Sequence, residues 1–145
     1  IATRGLAKEI DSVLGPGASD NYDLEAIVKE GQANPAWYNE VFIPQVEAAF
    51  QTKYSQFSGT NVKSYETAAG AFRTEWKSIT GQMPDETTND WQKFFATNDA
   101  KEREDIAFAA AAKLGTQTYR DTLQSKLDST FGSAGMRATG RGRFQ

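Results

Sequence analysis

Residues 61–81 read NVKSYETAAGAFRTEWKSITG. Tyr65, Ala69, Phe72, Trp76 and Ile79 step by four, three, four and three. That spacing puts all five side chains on one face of an α-helix. Gly81 follows at once, where a helix commonly ends on a left-handed residue. The stretch predicts an amphipathic helix over about 61–79, with three aromatics turned into a core.

The residues on the N-terminal side repeat part of this pattern. AAFQTKYSQFSG (48–59) and GAFRTEWKSITG (70–81) lie 22 residues apart and share four of twelve positions. Two similar helix ends explain this more simply than a duplicated hairpin, because a repeat array needs more than two copies. The helix carrying the first segment is expected to open at Asn34-Pro35, an N-cap followed by proline in the first turn. It should run to about Gln56 along Phe42, Val46, Phe50, Tyr54 and Phe57. Pro44 falls inside it and predicts either a kink or a separate short turn over 35–42. Further upstream, Leu6, Ile10, Val13 and Leu14 mark a helix over 3–14, stopped by Gly15-Pro16-Gly17. A short helix over 22–31 carries Leu24, Ile27 and Val28, with Asp20 or Asn21 expected as its cap.

On the C-terminal side, a helix is expected to open near Pro84-Asp85-Glu86 and to carry Trp91, Phe94 and Phe95. Thr97-Asn98-Asp99 ends it. Asp99 and Glu102 have the spacing of a capping box, which predicts one long last helix over about 99–130. Its apolar residues form two lines, Ile106, Ala110, Leu114 and Phe108, Ala112, Gly115, Tyr119, Leu123, Leu127. A helix apolar on two sides is either central or in contact with a neighbouring subunit. Phe108, Ala112, Tyr119, Leu123 and Leu127 are therefore candidate subunit-contact residues. No alternating β-branched run reaches five residues. The fold class is accordingly all-α: five or six helices in a bundle-like body, 1–130, and an extended Gly/Arg-rich tail, 131–145.

Composition excludes much chemistry. The chain has no histidine and no cysteine. Imidazole or thiolate metal sites and Cys or Ser/His nucleophiles are thereby ruled out, and no metal or cofactor is expected. No apolar run approaches the roughly 20 residues that a membrane span needs. Glycine-rich phosphate loops are absent, and residues 20–25 lack the ligand positions of a calcium loop. The acid clusters Asp85, Glu86, Asp90 and Glu102, Glu104, Asp105 stand at expected helix starts, where the helix dipole favours them. Glu75 and Asp90, beside Trp76 and Trp91, raise the alternative of a carboxylate-based cell-wall hydrolase with a sugar cleft. Trp76 lies on the core stripe of its helix, which favours a packing role.

The C-terminal segment is different in kind. The chain holds 16 Lys and Arg against 19 Asp and Glu, and residues 131–145 contain three of the bases and none of the acids. The tail therefore carries +3 on a body of −6. Arg137, Arg141, Arg143 and Phe144 could attract phosphate, stack on bases, or strap onto a neighbouring subunit. The helical body without His or Cys, followed by SKLDSTFGSAGMRATGRGRFQ (125–145), resembles structural proteins of tailed bacteriophages, in the style of internal-core, ejection and small connector proteins. The resemblance implies a non-enzymatic virion subunit. Its partners would be copies of itself and other virion proteins, with DNA reached through the tail. The acidic body departs from a surface that would itself bind DNA. A helical accessory subunit of a cellular or organellar complex is the other reading.

Overall fold

The computed structural model describes residues 2–131, and those residues form seven helices and no strand. Helix α1 is Thr3–Leu14 and α2 is Leu24–Ala33. Helix α3 runs through three consecutive pieces, Pro35–Trp37, Tyr38–Phe42 and Ile43–Lys53. Helix α4 is Tyr65–Thr80, α5 is Asn89–Ala96, α6 is Ala100–Leu114 and α7 is Gln117–Phe131. The all-α class is as expected. The candidate tail residues Arg137, Arg141, Arg143 and Phe144 lie outside the described residues.

Helix α4 holds the centre, packed against α1, α6 and α7. Ser64 caps it by accepting a hydrogen bond from the Thr67 amide at 3.2 Å. Tyr65, Ala69 and Trp76 from the opening stripe are buried, with Phe72 and Ile79 packed at the edge of the same core. The partners arrive from α1, α3, α5 and α6. Helix α1 supplies Leu6, Ile10, Val13 and Leu14, α3 supplies Phe42, Val46 and Phe50, and α5 supplies Trp91, Phe94 and Phe95. Helices α2 and α7 contribute no buried residue.

Pro44 is absorbed by a change of helical register. Residues Tyr38–Phe42 are π-helical, and the Ile43 amide donates to the Tyr38 carbonyl five residues back. The wider turn before the proline accommodates the donor that Pro44 lacks, so the helix continues instead of breaking. The two similar segments, by contrast, do not share a backbone. Residues 70–81 are helical to Thr80, whereas 48–59 leave the α-helix at Lys53 and finish in a 3₁₀ turn, Ser55–Phe57.

Three expected boundaries are corrected. The cap of α2 is Asp23, whose carboxylate accepts from the Ala26 amide at 3.2 Å; Asp20 and Asn21 belong to a preceding 3₁₀ turn. Helix α5 opens at Asn89 behind Thr88, not at 84–86, because Asp85 is used to close its own turn onto the Thr87 amide. The single helix expected over 99–130 is two helices.

That last break has a clear physical cause. Gly115 adopts φ +62° and ends α6 as a left-handed cap, with its amide on the Ala111 carbonyl. Thr116 then starts α7 by accepting from the Tyr119 amide at 3.1 Å, and its hydroxyl donates to the Thr80 carbonyl at 2.8 Å. One hydroxyl thus caps the new helix and satisfies an orphan carbonyl at the end of α4. The chain turns back, and α7 lies antiparallel to α6.

The turn brings α7 very close to the end of α4. Gly81 has φ +83°, and a Cβ placed there would stand 2.4 Å from the Thr118 hydroxyl oxygen. Gly59 has nearly the same φ, +77°, with open space around it. Both alanine substitutions incur the backbone cost of a left-handed residue, about 1–2 kcal/mol. Gly81→Ala should cost more, by whatever is needed to displace Thr118. Urea denaturation midpoints of the two variants measure the difference. Equal midpoints would mean that α7 yields freely at this point.

Candidate functional site

The largest connected group of polar side chains sits where α1, α4 and the loop before α5 meet. Tyr65, the first residue of α4, is buried in the aromatic core. That hydroxyl accepts from the Trp91 indole N–H at 2.8 Å and donates to Glu86 Oε1. Arg73, two turns along α4, grips Glu86 through Nε at 2.7 Å and Nη2 at 2.9 Å. Its other face holds Glu66, with Nη1 at 2.7 Å from Oε1. A cleft of about 210 Å³ opens beside the group, between the Gly15-Pro16-Gly17 turn and Lys53, Tyr54 and Trp91.

The electrostatics define what this group can do. Burial, then the hydrogen bond to Glu86, pushes the Tyr65 hydroxyl well above its ordinary pKa, so it remains a protonated donor. Burial alone would raise the Glu86 carboxyl. The Arg73 and Tyr65 hydrogen bonds outweigh it and hold the carboxyl below its ordinary value. The Arg73 guanidinium is raised by Glu86 first and Glu66 second. Both Glu86 oxygens are therefore engaged, and the carboxylate is held ionised by partners that do not leave. A general base must be free to take a proton. The group instead ties α4 to the loop ahead of α5.

Four of the other candidate carboxylates are also paired with cations. Glu75 receives the Arg103 Nε on both oxygens at 3.1 Å, and the same guanidinium donates to the Thr97 carbonyl. Asp90 pairs with Lys113 at 2.9 Å. Trp76 and Trp91 are 4% and 1% exposed and pack against one another, so neither offers a ring face to a sugar. In the second cluster, Asp105 pairs with Lys101 and Glu104 with Lys126, while Glu102 donates its amide to the Asp99 cap. Among the described residues no three acidic side chains converge on a possible metal position.

The expected subunit-contact residues fall on both arms of the terminal hairpin. Phe108 of α6 packs on Tyr119 of α7 at 5.1 Å, and the Lys126 ammonium lies 5.2 Å from the Phe108 ring centre. Leu123 and Leu127 are half-buried, and Ala112 is exposed. The second apolar line of the supposed long helix is thus used in part inside the chain.

Two features escaped the sequence reading. The Tyr65–Glu86–Arg73 group joins residues 13 and 21 positions apart, with no local pattern to mark it. The other is a cleft of about 230 Å³ at the turn of the hairpin, lined by Met83, Leu114, Ala110, Trp76, Asp85 and the Asp90–Lys113 pair. Its visible sign was Met83, an apolar residue in an otherwise polar loop. No family model, curated protein or solved structure matches this chain.

Proposed function

We propose that this chain is a non-enzymatic structural subunit of a viral particle, of the tailed-phage internal, ejection or connector kind, which assembles through its terminal hairpin and basic tail. One observation carries the reading. Among the described residues the exposed large apolar side chains are Val41, Met83, Leu114 and Phe131. Two of these four, Met83 and Leu114, line one cleft at the turn of the α6–α7 hairpin. Apolar surface kept out of the core and brought together in one place marks a contact surface. The commitment of Glu75, Glu86 and Asp90 to cations supports the same reading against the hydrolase. The virion placement itself comes from the resemblance of residues 125–145 and of the composition. No described helix is long and apolar enough to cross a membrane.

The test compares the full chain with a chain ending at Phe131, by size-exclusion chromatography with light scattering and the ratio of absorbance at 260 and 280 nm. The full chain should form a defined oligomer or carry nucleic acid, and the shortened chain should do neither. Monomers free of nucleic acid in both cases would overturn the reading.

A further inference from the structure

We infer that the cleft between Met83 and Leu114 is the seat of the tail, and that residues 140–145 of a neighbouring copy dock there with Phe144 in the cleft. The inference rests on the strap reading above and says where the strap lands. Met83 is 58% and Leu114 49% exposed, and the two line the same opening. Apolar side chains this exposed are ordinary when scattered, but two of them lining one cleft together with Ala110 and Trp76 form a receptacle. An aromatic ring is the occupant with the most to gain, since it buries about 150–250 Å² on entry. Phe144 is the last aromatic of the chain and is preceded by GRGR.

Charge agrees with this choice. Asp85 is fully exposed at the rim, and its carboxyl is held below its ordinary pKa by the Thr87 hydroxyl and amide. Asp90 also lines the cleft, paired with Lys113, so the lining keeps one net negative charge through Asp85. The tail brings Arg141 and Arg143 and no acid. Arg143 adjoins Phe144 in sequence and Arg141 is three positions from it, so both positive charges would arrive near the Asp85 carboxylate when Phe144 enters the cleft. Reach permits it. The contacts of Phe108 with Tyr119 and of Glu104 with Lys126 show that α7 runs back along α6, so Phe131 lies at the far end of the hairpin from Leu114. Helix α7 is about 22 Å long. The thirteen residues from Phe131 to Phe144 extend to roughly 43 Å, enough to cross a hairpin and enter a neighbour's cleft.

The test places a photoreactive benzoylphenylalanine at position 144 of the full chain, in a mixture of unlabelled and ¹⁵N-labelled copies. Benzophenones insert readily beside the sulfur of methionine, so Met83 is a favourable trap. Irradiation should give mixed light–heavy pairs linked at Met83 or Leu114, and Met83→Ser with Leu114→Ser should abolish those links. Both positions are about half exposed, so the double variant should keep its fold, which circular dichroism checks. Mixed pairs linked elsewhere would overturn the seat while leaving the strap reading intact. Links within single chains only, or none, would overturn both. Adducts to co-purified nucleic acid in place of protein would move the tail's partner from protein to nucleic acid and overturn the seat.

Discussion

Phe95→Ala should destabilise the protein by about 3–5 kcal/mol, the range for removing a fully buried aromatic side chain. Phe95 is wholly buried, and its ring stands 4.8 Å from Tyr54, 4.8 Å from Tyr65 and 4.9 Å from Phe72. Phe57 and Trp91 close the remaining sides at 5.9 and 6.0 Å. These neighbours come from the end of α3, the 3₁₀ turn behind it, α4 and α5. No single segment can shift to fill the space without breaking a contact elsewhere, so the cavity should remain largely open. Domains of this size are stable by about 5–15 kcal/mol, so the variant stands to lose a large part of its margin. Equilibrium urea unfolding, followed by tryptophan fluorescence and by far-ultraviolet circular dichroism, measures the loss. Phe131→Ala is the control. That side chain is 63% exposed, and its removal should shift stability by no more than about 0.5 kcal/mol. A cost below about 1 kcal/mol at Phe95 would mean that the aromatic cluster repacks freely and is not the fold's organising core.

The same cluster shows what could be read from the sequence. The stripe from Tyr65 to Ile79 has a helical period because it faces one core along its whole length, and periodicity reports that directly. Trp91, Phe94 and Phe95 were legible for the same reason. The last helix misled because two lines of apolar residues on one presumed rod look like two buried faces. A rod that folds back on itself produces the same two lines, with Phe108 meeting Tyr119 across the fold. Gly115-Thr116 carried the signal for the turn: a residue suited to the left-handed cap, then a hydroxyl suited to the next N-cap. Its weight depended on the Thr80 carbonyl, 36 residues away, which accepts the Thr116 hydroxyl. Glu86 was misplaced similarly. Acids near a proline suggest a helix start, but Glu86 stands in the loop before α5 and its partner Arg73 lies on α4, and only the fold brings them together.

That pair should make stability depend on pH in a way that identifies it. Arg73 and Glu86 are each about four-fifths removed from solvent, with side chains 21% and 20% exposed. Removing one partner of a fully buried pair costs about 3–5 kcal/mol. Hydrogen bonds to charged groups, a closer measure at partial exposure, are worth about 1.5–3 kcal/mol. Glu86→Gln keeps the shape and one acceptor and should therefore cost about 1–3 kcal/mol at neutral pH. The sign follows from the direction of the shift. The folded Glu86 carboxyl titrates below its unfolded value, so its contribution is complete above the unfolded pKa of about 4.3 and disappears as pH falls through the folded pKa. Stability curves of the wild type and of Glu86→Gln should therefore lie apart at pH 7 and converge below about pH 4. Arg73→Met should change the direction itself. With the guanidinium gone, the burial that already opposes ionisation becomes the dominant influence on Glu86, and its pKa should rise above the unfolded value. That variant should lose stability as pH rises through about 4 to 6, where the wild type does not. Denaturant unfolding between pH 3 and pH 7 on the three proteins reads all of this. Parallel curves, offset by the same amount at every pH, would show that Glu86 acts by shape alone and that the clamp between α4 and the α5 loop does not depend on its charge.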